Sequence, residues 1–149
     1  MAPNSSLELA EEILFASKVM VNILAEALVY EGIQNISAPQ FRVLDTIYNG
    51  TDKPADVARM LEVSPSAISW LLDRLEQDGW LERTASSKDR RRVVLRLTET
   101  GRDMVRRVNT HRRALLRKVL ENMEPETITQ LQDSLEAFSQ SYIALKKGR

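Results

Sequence analysis

Apolar residues recur along this chain at two periods, and the switch between them organises it. Leu9, Ile13, Ala16, Met20, Ile23, Leu24, Ala27 and Leu28 follow a helical spacing, which predicts one long amphipathic helix ending near Gly32. Ser5-Ser6-Leu7-Glu8 fits a capping box at its start, behind a short loose arm, Met1 to Ser6. Ser37-Ala38-Pro39-Gln40 is a second capping box with proline in the first turn. Phe41, Leu44, Ile47 and Tyr48 stripe the helix that follows, and Asn49-Gly50 stops it. Val57, Ala58 and Leu61 form the inner face of a third helix after the loop Thr51-Asp52-Lys53-Pro54. Glu62-Val63 makes a very short turn, and Ser64-Pro65 opens a fourth helix that Gly79 closes.

After Gly79 the period changes. Trp80 to Arg83 and Val93 to Leu97 have the alternation or β-branched content of strands. Between them, Thr84 to Arg92 is a polar, basic hairpin loop. Thr98 then caps a fifth helix with Met104, Val105, Val108, Leu115, Leu116, Val119 and Leu120 as its stripe. Glu124-Pro125 resets the chain, and Ile128, Leu131, Leu135, Phe138, Tyr142 and Leu145 form a heptad-like seam on a sixth.

The expected fold is therefore mainly α with a small β wing, in the order α-α-α-α-β-β-α-α. Residues 37–98 read as a winged helix-turn-helix, with the fourth helix in the position that enters a DNA major groove. Residues 7–36 and 99–147 read as flanking dimerisation helices. Their stripes, including Leu9, Ile13, Ile128, Leu131, Leu135, Phe138 and Tyr142, need burial that a two-fold partner would complete.

Composition narrows the function. Hydrophobic residues make up 43% of the 149, enough for a core, and aromatics only 5%. Cysteine is absent, which excludes a disulfide framework, a thiolate metal site and a thiol redox sensor. The N-terminus lacks the basic and apolar blocks of a signal peptide. No run reads as apolar enough to span a membrane, so the expected location is cytoplasmic and no membrane partner is expected. The formal net charge is zero, but its distribution is uneven. Arg83 to Lys118 holds 13 Lys and Arg against 3 Asp and Glu, a net +10 that leaves −10 for the rest. Such asymmetry marks a polyanion-binding face, or a solvated helix paired with the acidic ends. No nucleophile–base set, glycine-rich phosphate loop or metal-ligand cluster is visible, which argues against an enzyme, a cofactor or a metal.

Candidate DNA contacts follow from the helical wheel. Ile68, Leu71, Leu72 and Leu75 cluster toward the core, while Ser66, Trp70 and Asp73 lie opposite, flanked by Ser69 and Arg74. Ser64, Pro65, Ser66, Ser69, Trp70 and Arg74 are thus the recognition-helix candidates, with capping as the alternative role for Ser64. Trp70 either presses on sugar and thymine methyls or folds back on a neighbouring element. Lys88, Arg90, Arg91 and Arg92 put four cations in five residues at the wing tip, where a phosphate backbone or narrow minor groove would relieve their repulsion. Asp89, inside that run, suits a pairing with an adjacent arginine.

The stretch from Pro39 to Gly101 resembles the MarR family of bacterial transcription regulators. The matching residues are Val57-Ala58, Val63-Ser64-Pro65-Ser66, Leu72-Asp73-Arg74-Leu75-Glu76, Gly79-Trp80-Leu81-Glu82-Arg83, Asp89-Arg90-Arg91, and Leu97-Thr98 with Gly101. The resemblance implies a homodimer on a pseudo-palindrome of double-stranded DNA. One recognition helix per subunit would lie in the major groove and one wing arginine in the minor groove, with Asp89 and Arg91 as the wing pair. It also implies a repressor released by a small, often aromatic or phenolic, molecule. Trp70 departs from the polar or basic residue expected at its position. A ligand lining drawn from the junction of the first, second and fifth helices would include Met20, Phe41, Tyr48 and His111. His111 alternatively serves as a packed core or interface histidine. The competing reading of the whole chain is a winged-helix module for protein contacts without ligand response.

Overall fold

The computed structural model describes residues 3–87, 89 and 92–147, with side chains from residue 5 onward. Its elements run α1 (Pro3–Tyr30), α2 (Ala38–Tyr48), α3 (Pro54–Leu61), α4 (Pro65–Gln77), β1 (Leu81–Ala85), β2 (Val93–Leu97), α5 (Glu99–Glu121) and α6 (Pro125–Lys147). The order is the expected one. The chain forms two compact units, residues 1–112 and 113–149, with the boundary inside α5.

The first unit is built around one core. Ile23, Leu24, Ala27 and Leu28 bring the C-terminal half of α1 to burial, with Phe41, Val43, Leu44 and Ile47 of α2. Val57 and Ala58 of α3, the inner face of α4, Leu81, Leu95, Leu97, and Met104, Val105 and Val108 of α5 complete it. Local signals set the boundaries. Ser37 and Gln40 exchange both bonds of the capping box. Glu62 ends α3 in the left-handed region at φ 55°, a conformation normally left to glycine or asparagine. Its N–H bonds Ala58 and Arg59 carbonyls, so the tight α3–α4 turn is satisfied internally.

β1 and β2 pair antiparallel with Leu81 opposite Leu97 and Ala85 opposite Val93. β1 therefore extends through Thr84 and Ala85, two residues into the stretch expected as loop. The Leu95 N–H also donates to the Asp52 carbonyl at 2.7 Å, which ties the wing to the loop before α3. Thr98 caps α5, accepting from the Gly101 N–H at 3.0 Å while its hydroxyl donates to the Gly79 carbonyl at 2.8 Å.

Two expectations fail at the N-terminus. Pro3 to Ser6 are helical instead of a loose arm, so Ser5 lies inside α1 and is not its cap. Proline suits the first helical turn, where no amide hydrogen is needed. Ser5–Tyr30, whose most apolar 18-residue stretch has mean hydropathy 1.7, is also long and apolar enough to cross a membrane by length and composition. Of the five charges in residues 8–26, Glu8, Glu11 and Glu12 crowd the first turns, and only Lys18 and Glu26 fall in the remainder. Leu7, Leu9, Leu14, Phe15, Met20 and Val21 are exposed on this chain.

Candidate nucleic-acid interface

α4 is held in one rotational setting. Ser64 has extended backbone (φ −67°, ψ 156°) and its hydroxyl accepts from the Ala67 N–H at 3.2 Å, so it does cap the helix. Pro65 starts it with φ already fixed. Ile68, Leu71, Leu72 and Leu75 are buried, and turning α4 would pull all four from the core. Ser66, Ser69, Trp70, Asp73 and Arg74 consequently face outward, and all are exposed. The Ser64 and Ser66 hydroxyls lie 3.1 Å apart, one donating to the other. Trp70 is 67% exposed, and it shares a concavity with Asn35, Ser37 and Gln40 at the start of α2. Arg74 reaches Asp78 at 3.2 Å along the same helix.

One cross-element clamp is not visible in the periodicity of the sequence. Arg83, on β1, donates to Asp73 at 2.6 Å and to Glu76, and its own N–H bonds Glu76 at 3.1 Å. Its side chain is 26% exposed. Burial by itself would lower its pKa; the hydrogen bonds and charges of Asp73 and Glu76 outweigh that and raise it above the ordinary arginine value. A permanently charged fork thus ties the wing to the outer and lateral faces of α4. The available signal was weak: an arginine at a strand position, seven and ten residues beyond two carboxylates one turn apart.

The wing tip is closed by the Ser86 N–H bonding the Arg92 carbonyl at 2.8 Å. The Asp89 carboxylate stands 3.4 Å from the Arg92 guanidinium. The arginine it meets is three positions along, and the Arg92 N–H also donates to the Asp89 carbonyl at 2.9 Å. Lys88, Arg90 and Arg91 lie outside the described residues, and with them the expected Asp89–Arg91 pairing.

Of the four residues expected around a ligand, Phe41 lies in the core and Tyr48 packs against it. Phe41 is 1% exposed, in the core, with the Arg112 guanidinium 5.6 Å from its ring. Tyr48 lies under Arg102 at 5.7 Å. His111 stacks on Tyr30 with ring centroids 4.0 Å apart, and Met20 is exposed. A polar link crosses nearby: Asn109 donates to Asp45 at 2.6 Å and accepts from Arg112 at 2.9 Å. Of the expected dimerisation residues, Leu9, Ile13, Leu135, Phe138 and Tyr142 are exposed on this chain, and Ile128 and Leu131 are half-buried. Among the described residues, no group of three or more His, Cys, Asp or Glu could hold a metal ion.

Comparison with known proteins points one way. The sequence model of the MarR family matches residues 36–93. An uncharacterized HTH-type transcriptional regulator of Bacillus subtilis, YfiV, is 35% identical over 114 residues, covering 76% of this chain and 71% of that protein. The HTH-type transcriptional repressor MdtR of the same organism is 34% identical, covering 65% of this chain and 63% of its own length. The crystal structure of Streptococcus pneumoniae FabT in complex with DNA superposes with a TM-score of 0.79 at 27% identity, over 92% of this chain and 99% of that one.

Proposed function

The chain belongs to the MarR family of transcriptional regulators, and from that premise we propose that it is a cytoplasmic homodimeric repressor. Two α4 helices would enter successive major grooves of a pseudo-palindromic operator, with the two wing tips on the flanking minor grooves. A small organic effector of aromatic or phenolic type would release it. The observation that carries this reading is the outer face of α4. Its serines stand clear of the core at the helix N-terminal end, where base edges are met. The Arg83 fork holds that face in register with the wing. MdtR is named a repressor and FabT is seen with DNA, which supports both the role and the target. The apolar residues left exposed on α1 and α6 support the dimer.

Selection of bound duplexes from a random pool tests the reading. The expected result is a two-fold-symmetric consensus with half-sites one helical turn apart, about 34 Å. An asymmetric consensus, or none, rejects it. Effector release is tested by thermal-shift screening of small aromatic acids. A true effector raises the melting temperature and weakens the selected operator, because it binds the DNA-incompetent population better.

A further inference from the structure

The outer face of α4 carries one side chain that polar groove chemistry does not explain. Trp70 stands 67% exposed on a helix that cannot roll to hide it, since four buried side chains fix the opposite face. Ser66, one turn before it, is short and exposed, so a groove floor could approach the helix to the depth of the indole. Asp73, one turn after it, is held by the Arg83 guanidinium at 2.6 Å and offers a phosphate no donor of its own. Trp70 itself helps line a concavity of about 510 Å³, whose walls include Asn35, Ser37, Gln40, Asp73 and Arg74. The indole is therefore one exposed wall of an open hollow on the outer face of α4, with its apolar surface available to a groove.

An indole has one N–H donor and no acceptor; the rest is apolar face. In the major groove, the apolar feature that distinguishes one base pair from another is the thymine C5-methyl. Resting on the reading that α4 occupies that groove, we propose that Trp70 is a specificity-determining residue that reads a thymine methyl group in each half-site.

Deoxyuridine scanning of the selected duplex tests this, because it removes one methyl and leaves every hydrogen-bonding edge intact. At one symmetry-related pair of positions, the wild-type protein should lose about fourfold in affinity per half-site and about fifteenfold for both. Trp70→Ala should bind more weakly yet be indifferent to deoxyuridine at that pair, and Trp70→Phe should keep part of the sensitivity. Thermal melting of both variants should match the wild type, because the side chain lies outside the core. Equal wild-type binding to every deoxyuridine duplex overturns the proposal, as does an undiminished penalty in Trp70→Ala. Either result leaves the DNA-binding reading standing. Failure of the wild type to bind any duplex removes both.

Discussion

At the scale of single residues, Arg83 does work that neither charge counting nor periodicity assigns to it. Asp73 and Glu76 lie on or beside the face proposed to meet a polyanion, and bare carboxylates there would repel it. One guanidinium offsets one of those two charges and fixes β1 to α4. Arg83→Ala should lower stability by about 1–2 kcal/mol, read as a urea midpoint, because the pairs are only partly shielded from water. It should weaken duplex binding by more than that loss explains, since two uncompensated negative charges then face the phosphates. Arg83→Lys restores charge but not the fork, and should recover part of the binding. An Arg83→Ala protein that binds DNA as tightly as the wild type would show that the clamp is only structural. Gly101 is a second such residue. A Cβ there would stand 2.0 Å from the Trp80 carbonyl oxygen, a backbone atom that cannot swing aside. Alanine would add up to about 1 kcal/mol of helix propensity, but overpacking costs about 1–3 kcal/mol or more. Gly101→Ala should therefore melt several degrees lower, and an unchanged melting temperature would refute the close approach.

At the scale of elements, α4 combines a structural cap with a binding surface, and Ser64 belongs to both. Ser64→Ala should cost about 1 kcal/mol by leaving the Ala67 N–H uncapped. Ser64→Asp caps as well and suits the positive end of the helix dipole, so its stability should equal or exceed the wild type. Its carboxylate would face phosphate, so duplex affinity should fall while stability does not. If both variants lose affinity only in proportion to stability, Ser64 is a cap and nothing more. The same element shows what can be read before folding. The Ser64-Pro65 start, the apolar stripe and the Gly79 stop (φ +78°) are local chemistry, decided within one helical turn, and the sequence displays them. So are the Ser37–Gln40 box and the Thr98 cap. The Arg83 clamp, the Leu95–Asp52 backbone bond and the Asn109–Asp45 bond depend on side chains meeting across elements. No period encodes those meetings. At the start of α1 a capping-box pattern at Ser5 competes with a proline two residues earlier, and either can open a helix. Trp70 was ambiguous because tryptophan is usually buried on average, and only its neighbours' burial decides which way it points.

At the scale of the whole molecule, the chain leaves unburied the apolar side chains that its proposed dimer requires. Leu135, Phe138 and Tyr142 are each about half exposed or more, and among the described residues of α6 none is buried. Fully burying a leucine or phenylalanine side chain contributes about 1.5–3 kcal/mol, and a two-fold axis counts each contribution twice. Replacing Leu131 and Leu135 by Glu reverses that gain and adds charges that would be desolvated at the seam. Sedimentation should then report a monomer. The core of residues 1–112 contains neither position, so circular dichroism should stay helical. The consequence for DNA follows from multivalency. Two recognition helices joined in one rigid dimer bind the second half-site intramolecularly, and losing that linkage should cost about 10²–10⁴ in operator affinity. The slope of log affinity against log salt should fall to about half, as each monomer displaces only its own share of counterions. Binding to an isolated half-site should be unchanged. A double mutant that remains dimeric would move the seam away from α6. A monomer that holds the full operator with wild-type affinity and salt slope would show instead that pairing is not how this chain finds its site.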